Sequence, residues 1–173
     1  MVPAAALLEP LYQDKHALMA AFGERTVAAS NDAVSRRYME LFGDDQIMYR
    51  YVFKHFSPAS AGANFPFISF ATHTYDQFYF VGPTTFNYTH SDEDVAQIVS
   101  TAFTNFAKYR RVHNPNGNGT TTDLPIEWIP ATNSQPSVNF VFETQPWMSY
   151  EFFHGRPYLN NVLNQIAGTF YAV

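Results

Sequence analysis

Over residues 91–108, Val95, Ile98, Val99, Ala102, Phe103 and Phe106 recur at helical spacing and make one apolar face. Ser91 with Asp94 makes a capping-box-like start, Asp92 and Glu93 suit the positive end of the helix dipole, and Lys108 closes the last turn. Asn31-Asp32 can cap an earlier helix that runs to Phe42, with Gly43 as its stop. Asp44-Asp45 offers another cap. Ile47, Met48, Tyr51, Val52 and His55 then fall at helical spacing over residues 46–56, and Ser57-Pro58 ends that run. Residues 59–64 read as a small-residue loop. Phe65 to Ala71 is short, apolar and aromatic, the pattern of a buried strand. Residues 114–119, Asn-Pro-Asn-Gly-Asn-Gly, must turn, and residues 120–123 continue the loop. Val138 to Phe142 alternates and predicts a second strand. Phe152-Phe153 and residues 158–173 read as terminal packing elements.

No repeat, low-complexity tract or composition shift divides the chain, so residues 1–173 read as a single region. With 46% hydrophobic residues the chain can bury a core, and 17 Phe and 11 Tyr imply bulky packing. The stripes Tyr49-Tyr51-Phe53-Phe56 and Phe78-Tyr79-Phe80 read first as core. A net charge of -5 argues against a nucleic-acid partner, which needs a basic face. Arg36-Arg37 and Arg110-Arg111 are short pairs and read as solvated faces. No apolar run reaches the about 18 residues of a membrane span. The apolar start, residues 1–10, holds no Lys or Arg and is too short for a signal peptide. The sequons Asn87-Tyr88-Thr89 and Asn118-Gly119-Thr120 point to a secreted or secretory-lumen protein.

Candidate chemistry narrows quickly. With no cysteine there is no disulfide, zinc-thiolate or Cys nucleophile. Histidines at 16, 55, 73, 90, 113 and 154 never take metal-ligand spacing, so neither a metal nor another cofactor is expected. His90 reads as an exposed residue at a helix entry. His73 stands apart. It follows the 65–71 run, with Asp76 three residues on, then aromatics, then Gly82.

That layout resembles the histidine loop of type-B carboxylesterases and cholinesterases, His-x-x-Glu/Asp with aromatics and a closing Gly. Phe42-Gly43-Asp44 with Ile47 is similar to the family's Gly-Asp helix end. Asn105-Phe106-Ala107-Lys108 and Asn114-Pro115-Asn116 resemble its Phe-Ala-Lys-x-Gly-x-Pro-Asn stretch, and Trp128 with Pro130 its Trp-Pro. The matches follow family order from Tyr38 to Phe142. Departures are extra residues between Lys108 and Asn114, Phe103 at a usual Trp position, and Ile129 between Trp128 and Pro130.

The resemblance implies the C-terminal part of an α/β-hydrolase fold, edge strands plus packing helices, in an incomplete domain. It implies a serine esterase acting on carboxylic esters, with His73 as the general base of a Ser, Glu, His triad. Asp76 reads as a structural acid that fixes the loop by bonding its amides or capping the next element. Asp44 reads as a helix cap. Glycines at 23, 43, 62, 82, 117, 119, 155 and 168 never flank a serine as Gly-x-Ser-x-Gly, so the chain alone should be inactive. A Ser35, His73, Asp76 set lacks any elbow and is rejected. The alternative is a non-catalytic cholinesterase-like adhesion protein. An incomplete sheet should leave Phe67, Phe70, Phe103 and Phe140 exposed and favour self-association.

Overall fold

A computed structural model describes residues 22–61, 70–82, 87–113 and 123–171. The chain is mixed α/β, with long helices and one small mixed sheet. It divides into two compact units. One comprises the described parts of Met1–Met48, Ala131–Ser137 and Tyr150–Val173; the other comprises those of Tyr49–Pro130 and Val138–Ser149. The expected strand at residues 65–71 lies mostly outside the described residues, as do Phe67, the 114–119 turn and Asn118.

In the first unit, a π-helical turn, Glu24–Ala28, runs directly into α1, Ala29–Phe42. The helix therefore begins before Asn31-Asp32, which do not cap it. Asp32 sits in its interior, 1% exposed, and its Oδ2 accepts from Arg36 Nε at 2.8 Å one turn on. Arg36 also donates to Ser137 Oγ and lies over the Tyr158 ring, so it is half-buried rather than solvated. Gly43 does end the helix: its φ of 69° and ψ of -172° fit glycine, and its N–H closes on Met39 O. Asp44 caps no helix there; its Oδ1 accepts from Asn133 N at 2.7 Å. The last helix, α5 (Arg156–Tyr171), packs on α1. Arg156 reaches Glu24 with two bonds of 2.6 and 2.7 Å, and Asn161 donates to Ala29 O. The face of α1 turned inward carries Asp32 and Ser35 beside Ala29 and Met39, while Val34, Tyr38, Leu41 and Phe42 are exposed.

The second unit holds the sheet. Residues 46–56 are not helical: β1 is Tyr51–Phe53. Their apolar positions satisfy both periods, and the period-two set Tyr49, Tyr51, Phe53 wins because all three rings pack on the core cluster. Strand β2, Asn139–Phe142, pairs parallel with β1, Tyr51 opposite Phe140. Strand β3, Trp147–Ser149, pairs antiparallel on the other edge of β2. All four β2 residues are buried, as suits a central strand covered on both faces. Phe140, expected at an exposed edge, is 0% exposed and stacks on Trp128 at 4.7 Å between centroids. Phe70 and Phe103 are half-buried.

Among the described residues, three helices complete the unit: α2 (Pro58–Ala61), α3 (Gln77–Val81) and α4 (His90–Tyr109). The α4 cap is Thr89, two residues before the predicted Ser91. Thr89 Oγ1 accepts from Asp92 N while Asp92 Oδ2 accepts from Thr89 N, a reciprocal capping box. The face of α4 bearing Val95, Val99 and Ala102 is fully buried. About 25 cal/mol per Å² of apolar surface makes that face the main reason the helix stays in place. His90 is exposed at the helix entry.

Candidate functional site

His73 lies in the turn between the undescribed 62–69 segment and α3, and it is exposed. The turn closes by short-range bonds: Tyr75 N to Thr72 O at 3.0 Å and Gln77 N to Thr74 O at 3.1 Å. Thr74 takes a φ of 68°, a left-handed kink directly after the histidine. The next residues fasten the turn to β1. Tyr75 is 3% exposed and lies 6.3 Å from the Phe53 ring. Tyr51 Oη donates to Asp76 Oδ2 at 3.0 Å. Asp76 therefore does not cap α3, whose start carries no side-chain cap bond. It ties the loop to the strand beneath, where bonds to loop amides or a cap on the next element were expected. Burial, then the Asp76 charge, pushes the Tyr51 phenol well above its ordinary value. Gly82 ends α3 in the left-handed conformation, φ 58°. Among the described residues, His73 itself has no hydrogen-bond or ion-pair partner.

A second histidine has the opposite surroundings. His55 follows β1, is 7% exposed, and its Nε2 lies 2.8 Å from Asp92 Oδ1. Tyr79 Oη donates to the same oxygen at 2.7 Å. Asp92 Oδ2 accepts from Thr89 N at 2.8 Å and from Thr89 Oγ1 at 2.6 Å. Every one of these partners is able to donate to the carboxylate, His55 in the tautomer with its proton on Nε2. Burial drives the Tyr79 phenol far up from its ordinary value, and the bond to Asp92 adds to the shift. The knot joins the end of β1 to α3 and to the α4 N-terminus.

Thr144 Oγ1 stands 3.4 Å from His55 Nδ1, so a hydroxyl, an imidazole and a carboxylate fall in line. That line is a poor catalytic triad. The hydroxyl contact is long, and the acid holds Nε2, the nitrogen that a Ser triad turns to its nucleophile. His113 is likewise engaged at both nitrogens, Nδ1 with Asp123 Oδ1 at 3.0 Å and Nε2 accepting from Trp128 N at 2.8 Å.

The structure thus leaves His73 as the accessible imidazole of this set, and it brings neither a serine nor an orienting acid to it among the described residues. The His55–Asp92 pair is not legible in the sequence. The Thr89-x-x-Asp92 spacing is a legible cap signal, but nothing local joins Asp92 to a histidine 37 residues earlier. Among the described residues, no three His, Cys, Asp or Glu side chains gather as they would around a metal ion. No described helix is long and apolar enough to cross a membrane. Comparison with protein-family models and with curated proteins gives no match for this chain.

Proposed function

We propose that the chain supplies the general-base histidine of a serine carboxylic ester hydrolase, as the C-terminal portion of an α/β-hydrolase domain. His73 takes the proton of a serine hydroxyl in acylation and activates water in deacylation. The nucleophile and the acid that orients His73 belong to protein outside this sequence, which has no Gly-x-Ser-x-Gly. One observation carries the reading. His73 is exposed on a turn that Tyr75 and the Tyr51–Asp76 bond fasten to a parallel strand pair. A general base needs that combination of a free ring nitrogen and a rigid mount. The apolar stripe Val34, Tyr38, Leu41 and Phe42 fits the same reading, as surface for the remaining domain or for self-association.

The test uses the parent polypeptide, with a short alkyl ester in a pH-stat, since free imidazole does not turn over an unactivated ester at a measurable rate. His73→Ala should lower turnover by about 10⁴-fold or more, as loss of a triad member does. The same substitution should change stability by less than about 0.5 kcal/mol, because it removes an exposed side chain without a partner. The present chain alone should release no acid above buffer. Undiminished turnover by the His73→Ala parent defeats the assignment of the base. A parent without any esterase activity leaves the non-catalytic adhesion reading.

A further inference from the structure

We infer that Asn87 is an N-linked glycan acceptor and that the glycan is added before α4 closes its N-terminal cap. The sequon Asn87-Tyr88-Thr89 is split by the fold. Asn87 is exposed, whereas the two residues after it are half-buried. Tyr88 stacks on Tyr79 at 5.7 Å, and its hydroxyl donates to Phe78 O. Thr89 is the α4 cap: its hydroxyl accepts from Asp92 N and donates to Asp92 Oδ2 at 2.6 Å. Sequon recognition requires the Thr hydroxyl, so the folded chain withholds the group that identifies the acceptor. Transfer and capping therefore compete for one hydroxyl, and transfer must come first.

Asn87 is exposed, and beyond it the His90 and Glu93 side chains are 89% and 65% exposed, so the described surface on that side is polar. In the transfer, Asn87 Nδ2 bonds to the anomeric carbon of a polyprenyl-diphosphate-linked oligosaccharide. The carbon–oxygen bond to diphosphate breaks, its electron pair leaves with the diphosphate, and the amide gives up one proton to solvent. This inference is independent of any ester chemistry.

The chain is expressed behind a cleavable secretion signal in a eukaryotic cell and treated with peptide-N-glycosidase in ¹⁸O-water. The peptide carrying Asn87 should then contain ¹⁸O-labelled Asp, and Asn87→Gln should lose one glycan step on a gel. Lumenal chain with unmodified Asn87 overturns the site. For the order of events, purified full chain of confirmed helicity and a short peptide spanning the sequon are offered to microsomes with the lipid-linked donor. The cap's ~1 kcal/mol sets the least difference, about fivefold faster transfer to the peptide. Equal rates overturn the claim that transfer must precede folding.

Discussion

Replacing Asp92 with Asn changes shape by almost nothing and turns one oxygen into a donor. If the new amide NH₂ takes the Oδ2 position it opposes the Thr89 N–H, which can only donate. If it takes the Oδ1 position, the Tyr79 hydroxyl and His55 Nε2 must turn from donating to accepting. Either way a 0% exposed site loses its charge-assisted bonds. Weakening two or more bonds to a charged group, each worth about 1.5–3 kcal/mol, costs about 3–5 kcal/mol. A capping box worth ~1 kcal/mol is part of that sum. Tyr79→Phe is the control. It removes one donor from a carboxylate that keeps its others, so it should cost less, about 1.5–3 kcal/mol. Both tryptophans, Trp128 and Trp147, lie in the same unit as Asp92, so urea unfolding followed by tryptophan fluorescence reports that unit. With a slope of about 2 kcal/mol per molar urea, Asp92→Asn should lower the midpoint by about 2 M. A shift below about 0.5 M, or a larger effect from Tyr79→Phe, refutes the account of Asp92 as the centre of the knot.

Arg156→Leu should destabilise the first unit by about 3–5 kcal/mol, because the Glu24 side chain, 4% exposed, keeps its charge and loses two short bonds. A melt followed by far-UV ellipticity checks it, and wild-type behaviour would show that the pair is not buried in solution. Gly43→Ala should cost about 1–3 kcal/mol through backbone strain alone, since a Cβ there meets nothing within 4 Å. The same melt reads it, and a change within about 0.5 kcal/mol would mean the helix end relaxes. Alkaline pH should unfold the second unit. Burial raises the Tyr75 and Tyr79 phenols above their unfolded value of about 10, so the stability they confer is complete below that pH. It is lost as pH rises towards their folded values, by up to about 1.4 kcal/mol per pH unit for each phenol. Tyrosinate absorbance should therefore lag until ellipticity falls, whereas smooth ionisation of all 11 tyrosines near pH 10 with helicity intact would contradict it.

Some elements are legible in the sequence and others are not, for separable reasons. Helix α4 shows through because its apolar face is long and unbroken, and its end signals sit close to the observed ends. Its cap is ambiguous in sequence because Thr89 and Ser91 can both serve and both precede an acidic residue at the right spacing. Only the backbone decides, and Thr89 is the one with extended dihedrals, φ -79° and ψ 169°. Strand β1 is hidden for a different reason. In a short aromatic run the helical and strand periods share positions, and the choice falls to Trp128 and Phe142, whose rings pack against Tyr51 across the sheet. A larger missing sheet would put Phe140 at an exposed edge. Within this chain β2 is instead the central strand, with β1 and β3 on either side.

The two histidines on either side of the 62–69 segment illustrate which part of a site a sequence can carry. His55 has both nitrogens answered, by Asp92 and by Thr144, and its burial makes it part of the scaffold. His73 has neither nitrogen answered among the described residues, and its neighbours explain how it stays free. Asp76, three residues on, could have competed for the ring. Its Oδ2 instead holds Tyr51 at 3.0 Å, so the acid stiffens the turn from beneath without occupying the imidazole. Tyr79, six residues on, ties α3 to Asp92 and so to the end of β1. The acid and aromatics downstream of His73 thus act as its mount. They are local, which is why the motif is readable in one short stretch. In the proposed reading, the groups that would give the imidazole its chemistry come from distant chain, which is why no reading of these residues alone supplies them.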